Sequence, residues 1–106
     1  MNEGRIKEIT PEEVADRLRR GERLVVLDVR EPHEWVTGHI PGAKHIPLGQ
    51  LPDRIHELDA SLETVIICKS GVRSAAACEF LEYFGFKVAN VAGGMLAWAG
   101  DVEFGD

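Results

Sequence analysis

The stretch TVIICKSGVRS, residues 64–74, decides the fold because it sets a buried strand, a short basic loop and the start of a helix in direct succession. Its first four residues are β-rich and uniformly non-charged, which favours a strand covered on both faces. Gly71 follows in a loop that carries Lys69 and Arg73, and a helix is predicted over 74–84. Ligands bind beyond the carboxyl ends of strands in parallel α/β sheets, so this loop is the first candidate site.

The rest of the chain alternates strands and helices around this unit. Thr10, Pro11 and Glu13 predict a helix start, with an N-cap, a proline at the first helical position and a capping box, and Gly21 ends that helix. The alternation predicts an α/β domain whose parallel sheet is flanked by helices on both faces. Predicted strands cover 24–29, 44–46, 64–67 and 87–91; predicted helices cover 11–20, 32–37, 50–58, 74–84 and 94–99; the acidic tail 101–106 is expected to fray.

Composition restricts the possible partners. The 106 residues suffice for one domain, and 12 Lys and Arg against 18 Asp and Glu give a net charge of −6, which disfavours nucleic acid and anionic membranes. Unbroken apolar runs reach only four or five residues, and the first nine residues contain no signal-peptide core, so neither a membrane span nor secretion is expected. Two cysteines without CxxC spacing favour a reducing, cytoplasmic location.

Cys68 is the candidate nucleophile. Successive N–H groups of a loop that leads into a helix form an anion-binding nest, and the helix dipole adds to the field. Lys69 and Arg73 contribute positive charge, so we expect a thiolate with a depressed pKa. The alternative interpretation is that Cys68 is a small buried hydrophobic residue at the end of a strand.

The loop, a cysteine followed by four residues, arginine and serine, resembles the active-site loop of rhodanese-like sulfurtransferases. Further segments resemble that family's signatures in the same order: Leu27-Asp28-Val29-Arg30 with Glu34, residues 38–43, Ile46-Pro47, and Gly93-Gly94 with Trp98. The resemblance spans about residues 6 to 100. It implies a single rhodanese-like domain over 1–106, with a core of about 6–100 and a roughly five-stranded parallel sheet.

The resemblance also implies a chemistry. Cys68 is expected to carry sulfane sulfur as a persulfide, taken from thiosulfate or a low-molecular-weight persulfide and passed to cyanide or to a thiol, including a protein thiol. The expected substrate-binding residues are the remainder of the loop: Lys69, Ser70, Gly71, Val72, Arg73 and Ser74. Lys69 and Arg73 are expected to attract and orient an anionic donor. No cofactor or metal is expected beyond the covalent persulfide itself.

Three other functions compete with this hypothesis. The first is a sulfur-carrier or regulatory module that serves a partner enzyme with little small-molecule turnover. The second is a cysteine phosphatase, which the loop length disfavours because those enzymes place five residues between cysteine and arginine. The third is an interaction domain that keeps only the fold, which the presence of Cys68 disfavours.

The remaining polar and aromatic residues are interpreted as structural. His39 is expected to hydrogen-bond to backbone in a turn, and Asp28 to accept backbone hydrogen bonds and brace the loops. A pairing of Arg30 with Glu34 near the site is also considered. The four histidines lack the regular spacing of metal ligands, so a metal site is disfavoured: His33, His39, His45 and His56.

The second cysteine and the two tryptophans are assigned to packing. Cys78 lies on the apolar face of the predicted helix 74–84, ten positions after Cys68. To act as a resolving thiol it would have to leave the core and reach back over nearly three helical turns. Trp35 and Trp98 are interpreted as packing residues.

Overall fold

Five parallel strands form one sheet in a computed structural model that describes residues 5–106. In chain order the strands are β1 (Glu8–Ile9), β2 (Val25–Asp28), β3 (Lys44–His45), β4 (Thr64–Ile67) and β5 (Val88–Val91). Across the sheet they run β1-β5-β4-β2-β3, and each neighbouring pair is parallel. The predicted parallel α/β sheet is confirmed. Residues 1–4, which the predicted domain includes, lie outside the described residues.

Both faces of the sheet are buried because side chains alternate along the central strands. On β4, Ile66 packs into a cluster with α4 (Val72–Tyr83), whereas Val65 and Ile67 pack into a second cluster with α1 (Pro11–Arg19). The capping box of α1 is confirmed, since Thr10 and Glu13 exchange hydrogen bonds of 3.0 and 3.1 Å. Within residues 5–106 no helix is long and apolar enough to cross a membrane.

Several helix boundaries differ from the prediction. The segment 50–58 is a 3₁₀ turn (Leu48–Gln50), the short helix α3 (Leu51–Arg54) and a second 3₁₀ turn (Ile55–Glu57). Pro52 lies in the first turn of α3, where a proline is tolerated, and the helix is interrupted at Arg54, whose φ of −128° and ψ of 11° leave the helical range. The predicted helix 94–99 is a 3₁₀ turn (Gly94–Ala97), and the predicted helical turn 32–37 contains the short helix α2 (Pro32–Trp35).

The acidic tail does not fray, so that prediction is wrong. Glu103 forms an antiparallel bridge with His39, with hydrogen bonds of 2.8 Å in both directions between their backbones. The N–H of Gly105 donates to the carbonyl of Val36 at 3.0 Å. These hydrogen bonds join backbone groups and therefore do not depend on the side chains of the tail. For that reason the acidic composition of the tail did not reveal them.

Candidate active site

Cys68 follows β4 directly, and its side chain is enclosed by the loop that leads into α4. Three hydrogen-bonding groups converge on its sulfur: the N–H of Gly71 at 3.1 Å, the N–H of Ser74 at 3.3 Å and the hydroxyl of Ser74 at 3.2 Å. The residue is only 1% exposed. The predicted nest of inward-pointing N–H groups is therefore present around this sulfur.

The backbone conformation of the loop explains why its N–H groups point inward. Gly71 precedes α4 with a φ of 111°, a conformation that side-chain-bearing residues rarely adopt. On the outer side, the N–H groups of Met95 and Leu96 donate to the carbonyls of Cys68 and Lys69 at 2.8 and 3.0 Å. Because the 94–97 turn binds these carbonyls on the outer side of the loop, the N–H groups of the loop are free to donate to the Cys68 sulfur on the inner side.

The pKa of Cys68 lies below its ordinary value, as the sequence predicted, and the predicted nest of N–H groups contributes to the lowering. Burial raises the pKa of this thiol, and hydrogen bonds from the Ser74 hydroxyl and from the N–H groups of Ser74, Gly71 and Ser70 lower it by more. The thiolate is thus stabilised chiefly by oriented dipoles, which act at short range in a buried site.

A buried polar side chain that the sequence analysis missed completes this network. Asn90, on β5 and 4% exposed, accepts a hydrogen bond of 2.6 Å from the Ser74 hydroxyl and donates one of 3.1 Å to the carbonyl of Gly71. The signal that could have revealed it is a single amide in an otherwise apolar, fully buried strand, because a buried polar group requires a partner.

Arg73 does not face the sulfur as a free cation. Its guanidinium forms two hydrogen bonds with the carboxylate of Glu34, of 2.7 and 2.9 Å. Hydrogen bonding to Arg73 lowers the pKa of Glu34 to about 2. The considered pairing of Glu34 with Arg30 is found only at the backbone, where Nη1 of Arg30 donates to the Glu34 carbonyl at 3.3 Å. The Glu34 carboxylate, which α2 brings to the loop from 39 positions away, instead balances the positive charge expected of Arg73.

Arg30 instead pairs with Asp28, and this buried pair braces the edge of the site. The Arg30 side chain reaches the Asp28 carboxylate at 2.9–3.1 Å and the carbonyl of Gly38 at 2.8 Å, while its N–H donates to Asp28 at 3.0 Å. The structural role predicted for Asp28 is confirmed.

The other loop residues contribute backbone rather than side chains. Lys69, Ser70 and Val72 are exposed, and Val72 is 76% exposed, so their side chains do not enclose the sulfur. Ser74, by contrast, is fully buried against it. Of the predicted substrate-binding set, the structure brings the N–H groups of Ser70, Gly71 and Ser74 and the Ser74 hydroxyl to Cys68.

Residues assigned to packing lie where expected. Cys78 is buried, and burial raises the pKa of its thiol to about 12, which leaves it unreactive near neutral pH. The Nδ1 atom of His39 lies 2.9 Å from the carbonyl oxygen of Trp35, and the Trp35 ring stacks between His39 and His45 at centroid distances of 3.5 and 4.6 Å. In residues 5–106, no three His, Cys, Asp or Glu residues are grouped so that they could hold a metal ion.

Comparisons with known proteins agree with this geometry. A family model described as the Rhodanese-like domain matches residues 10–101. The putative sulfurtransferase YtwF of Bacillus subtilis is 43% identical over 92% of this chain and 95% of its own length. The putative sulfur carrier protein YrkF of the same organism is 44% identical over 96% of this chain, which spans 56% of that relative. A crystal structure of a rhodanese-like domain protein from Staphylococcus aureus superposes with a TM-score of 0.88 at 38% identity, covering 95% of this chain and all of that one.

Proposed function

Since the chain belongs to the rhodanese-like family, we propose that it is a sulfurtransferase that carries sulfane sulfur as a persulfide on Cys68. The observation that carries the proposal is the set of donors converging on a buried sulfur whose pKa is lowered. Such a site stabilises negative charge on sulfur, so the lowered pKa increases the share of Cys68 that is thiolate and able to attack the donor.

In the first half-reaction the Cys68 thiolate attacks the outer sulfur of the donor. A new S–S bond forms, and the donor's own S–S bond breaks with its electron pair on the leaving group. That group is sulfite when the donor is thiosulfate, and a thiolate when the donor is a persulfide. The lone pair of the attacking thiolate becomes the new S–S bond, the charge it carried is matched by that of the leaving group, and the outer sulfur keeps the negative charge that it brought from the donor, so no proton is consumed.

In the second half-reaction a nucleophilic acceptor attacks that outer sulfur. Cyanide becomes thiocyanate, or a thiolate becomes a persulfide, and the Cys68 thiolate is released with the electron pair of the broken S–S bond. The N–H groups of Gly71 and Ser74 stabilise the thiolate both before and after the cycle. Preorganised donors of this kind lower the barrier because they need no reorientation when charge returns to the sulfur.

The charged residues of the loop take separate roles in this proposal. Lys69 is exposed beside the site and attracts an anionic donor from solvent. Arg73, bound by Glu34 through two hydrogen bonds, fixes the start of α4 against α2 and offers the donor little net charge. We propose on this basis that monoanionic persulfides are better donors than dianionic thiosulfate.

Steady-state turnover tests the proposal. With thiosulfate as donor and cyanide as acceptor, the wild type should form thiocyanate, and so should Cys78→Ser, the matched control that retains Cys68. Cys68→Ser should form none above the uncatalysed rate. Equal rates for wild type and Cys68→Ser, with either thiosulfate or a persulfide as donor, would exclude Cys68 as the sulfur-carrying residue.

A sulfur carrier that serves a partner protein is the second candidate function. It is favoured by the near-complete burial of Cys68 and by the similarity to a protein named as a putative sulfur carrier. A carrier should accept one sulfur per chain and pass it to a protein thiol, yet form thiocyanate slowly over repeated cycles. Rapid multiple turnover with small donors and acceptors would favour the free-standing enzyme instead.

A further inference from the structure

The hydrogen bonds around Ser74 require one proton to serve two acceptors. The Ser74 hydroxyl has a single hydrogen, and its oxygen lies 2.6 Å from Oδ1 of Asn90 and 3.2 Å from the Cys68 sulfur. The Asn90 amide cannot exchange its two ends without loss, since its Nδ2 donates to the carbonyl of Gly71 at 3.1 Å. Oδ1 therefore faces Ser74 only as an acceptor.

The state of Cys68 decides which acceptor receives the proton. When Cys68 is a thiol, its S–H donates to the Ser74 oxygen and the Ser74 hydroxyl donates to Asn90, so every group is satisfied. When Cys68 is a thiolate, the hydroxyl must either turn to the sulfur and leave a buried amide oxygen without a donor, or stay with Asn90 and leave the charge with fewer donors. Either alternative carries a cost, because buried polar groups lose free energy when unpaired.

We propose that Asn90 is a positioning residue that competes with the Cys68 sulfur for the single proton of the Ser74 hydroxyl. The proposal rests on the function proposed for Cys68 and concerns how reactive that sulfur is. When Cys68 carries the extra sulfur, its inner sulfur is uncharged and a weak acceptor, so the Ser74 proton returns to Asn90. The same competition thus weakens the hold on the free thiolate and does not disturb the persulfide.

Competition of this kind benefits a sulfur-transfer site. The more strongly a thiolate is stabilised, the weaker a nucleophile it is, and the best attacking thiol has a pKa close to the ambient pH. A loop that supplied the Ser74 proton to Cys68 without opposition would favour release of sulfur over its capture. Asn90 moderates that stabilisation while its other end fixes the Gly71 carbonyl.

Substitutions at Asn90 leave the other charged side chains near Cys68 in the sequence. The titratable and charged residues around Cys68 and Asn90 come from four elements. They lie in the loop, in α4, in α2 and on β1: Lys69, Arg73, Cys78, Glu34 and Glu8. Of these, Glu8 lies opposite Asn90 on β1 and is exposed. A shift that depends on Ser74 therefore reports the shared proton rather than these charges.

The test is the pH dependence of Cys68 alkylation by iodoacetamide, which needs no sulfur donor and stays informative if the proposed sulfur transfer fails. Asn90→Leu should lower the apparent pKa of Cys68 by about one unit, the size of a modest change in hydrogen bonding to a charged group. Ser74→Ala should raise it. In the Ser74→Ala background, Asn90→Leu should produce a much smaller shift, because only the support of the Gly71 carbonyl is then lost. Peptide mass mapping assigns the adduct to Cys68 rather than Cys78.

Three outcomes would overturn the proposal: a raised pKa in Asn90→Leu, an unchanged pKa, or the same shift with and without Ser74. The last would mean that Asn90 acts only by bracing the Gly71 carbonyl. If Asn90→Leu does not fold, Asn90→Asp decides, because its anionic oxygen should hold the Ser74 proton more strongly. The rise in the Cys68 pKa should then be larger when Ser74 is present than in the Ser74→Ala background, and equal rises would contradict the competition.

Discussion

Gly94 is the position where one added methyl group should disturb the site most. A Cβ placed on Gly94 would lie 2.5 Å from the carbonyl oxygens of both Cys68 and Lys69, closer than atoms of these types approach. Both atoms are backbone, so relief requires the loop itself to move. Overpacking of this kind costs about 1–3 kcal/mol, and the positive φ of 57° adds about 1 kcal/mol for a residue with a side chain.

Gly85→Ala is the matched control for Gly94→Ala. Gly85 also has a positive φ, of 91°, but a Cβ there would meet nothing within 4 Å. Urea denaturation should therefore show a loss of about 1 kcal/mol in the free energy of unfolding for Gly85→Ala and about 2–4 kcal/mol for Gly94→Ala. Only Gly94→Ala should also slow Cys68 alkylation. A loss at Gly94 no larger than that at Gly85, with unchanged alkylation, would refute the close seating of the loop on the 94–97 turn.

Four further outcomes follow from the ion pairs and the thiolate. Glu34→Gln should free the charge of Arg73 and lower the KM for thiosulfate several-fold more than that for a persulfide; equal changes would contradict the neutralising role. Because the pKa of Glu34 falls from 4.5 to about 2 on folding, its contribution to stability is present above pH 4.5 and lost as the pH falls towards 2, and acid denaturation of Glu34→Gln should lack that component. Asp28→Asn should cost about 3–5 kcal/mol in thermal denaturation because it leaves Arg30 buried without its partner, and a loss below about 1 kcal/mol would contradict that reasoning. Thiocyanate formation should be on a plateau at pH values above the lowered pKa of Cys68 and fall as the pH drops through it, whereas activity that rises only above the ordinary thiol pKa would refute the lowered value.

Local sequence signals were enough to predict the central unit of the fold. The residues 64–74 predicted strand, loop and helix in the order in which β4, the nest and α4 occur, because strand propensity and Gly71 are encoded within a few positions. The helix was predicted to begin at Ser74, whereas α4 begins at Val72. The capping box of Thr10 and Glu13 was predictable for the same reason.

Features that depend on distant parts of the chain were not predictable from the residues. β1 has only two residues and is a strand because β5 offers it an edge. Glu34 reaches Arg73 from 39 positions away, and no local pattern distinguishes that partner from the nearer Arg30. Asn90 is a different case. Its burial could have been predicted from the apolar strand around it, but no signal in the sequence indicated that its partner is Ser74.

Intact-mass spectrometry under non-reducing conditions tests the central claim most directly. After incubation with thiosulfate or a low-molecular-weight persulfide, the wild type and Cys78→Ser should each gain the mass of one sulfur atom, and cyanide should remove it. Cys68→Ser should gain nothing under the same conditions. A sulfur adduct on Cys68→Ser, or none on the wild type with either donor, would contradict a persulfide carried by Cys68.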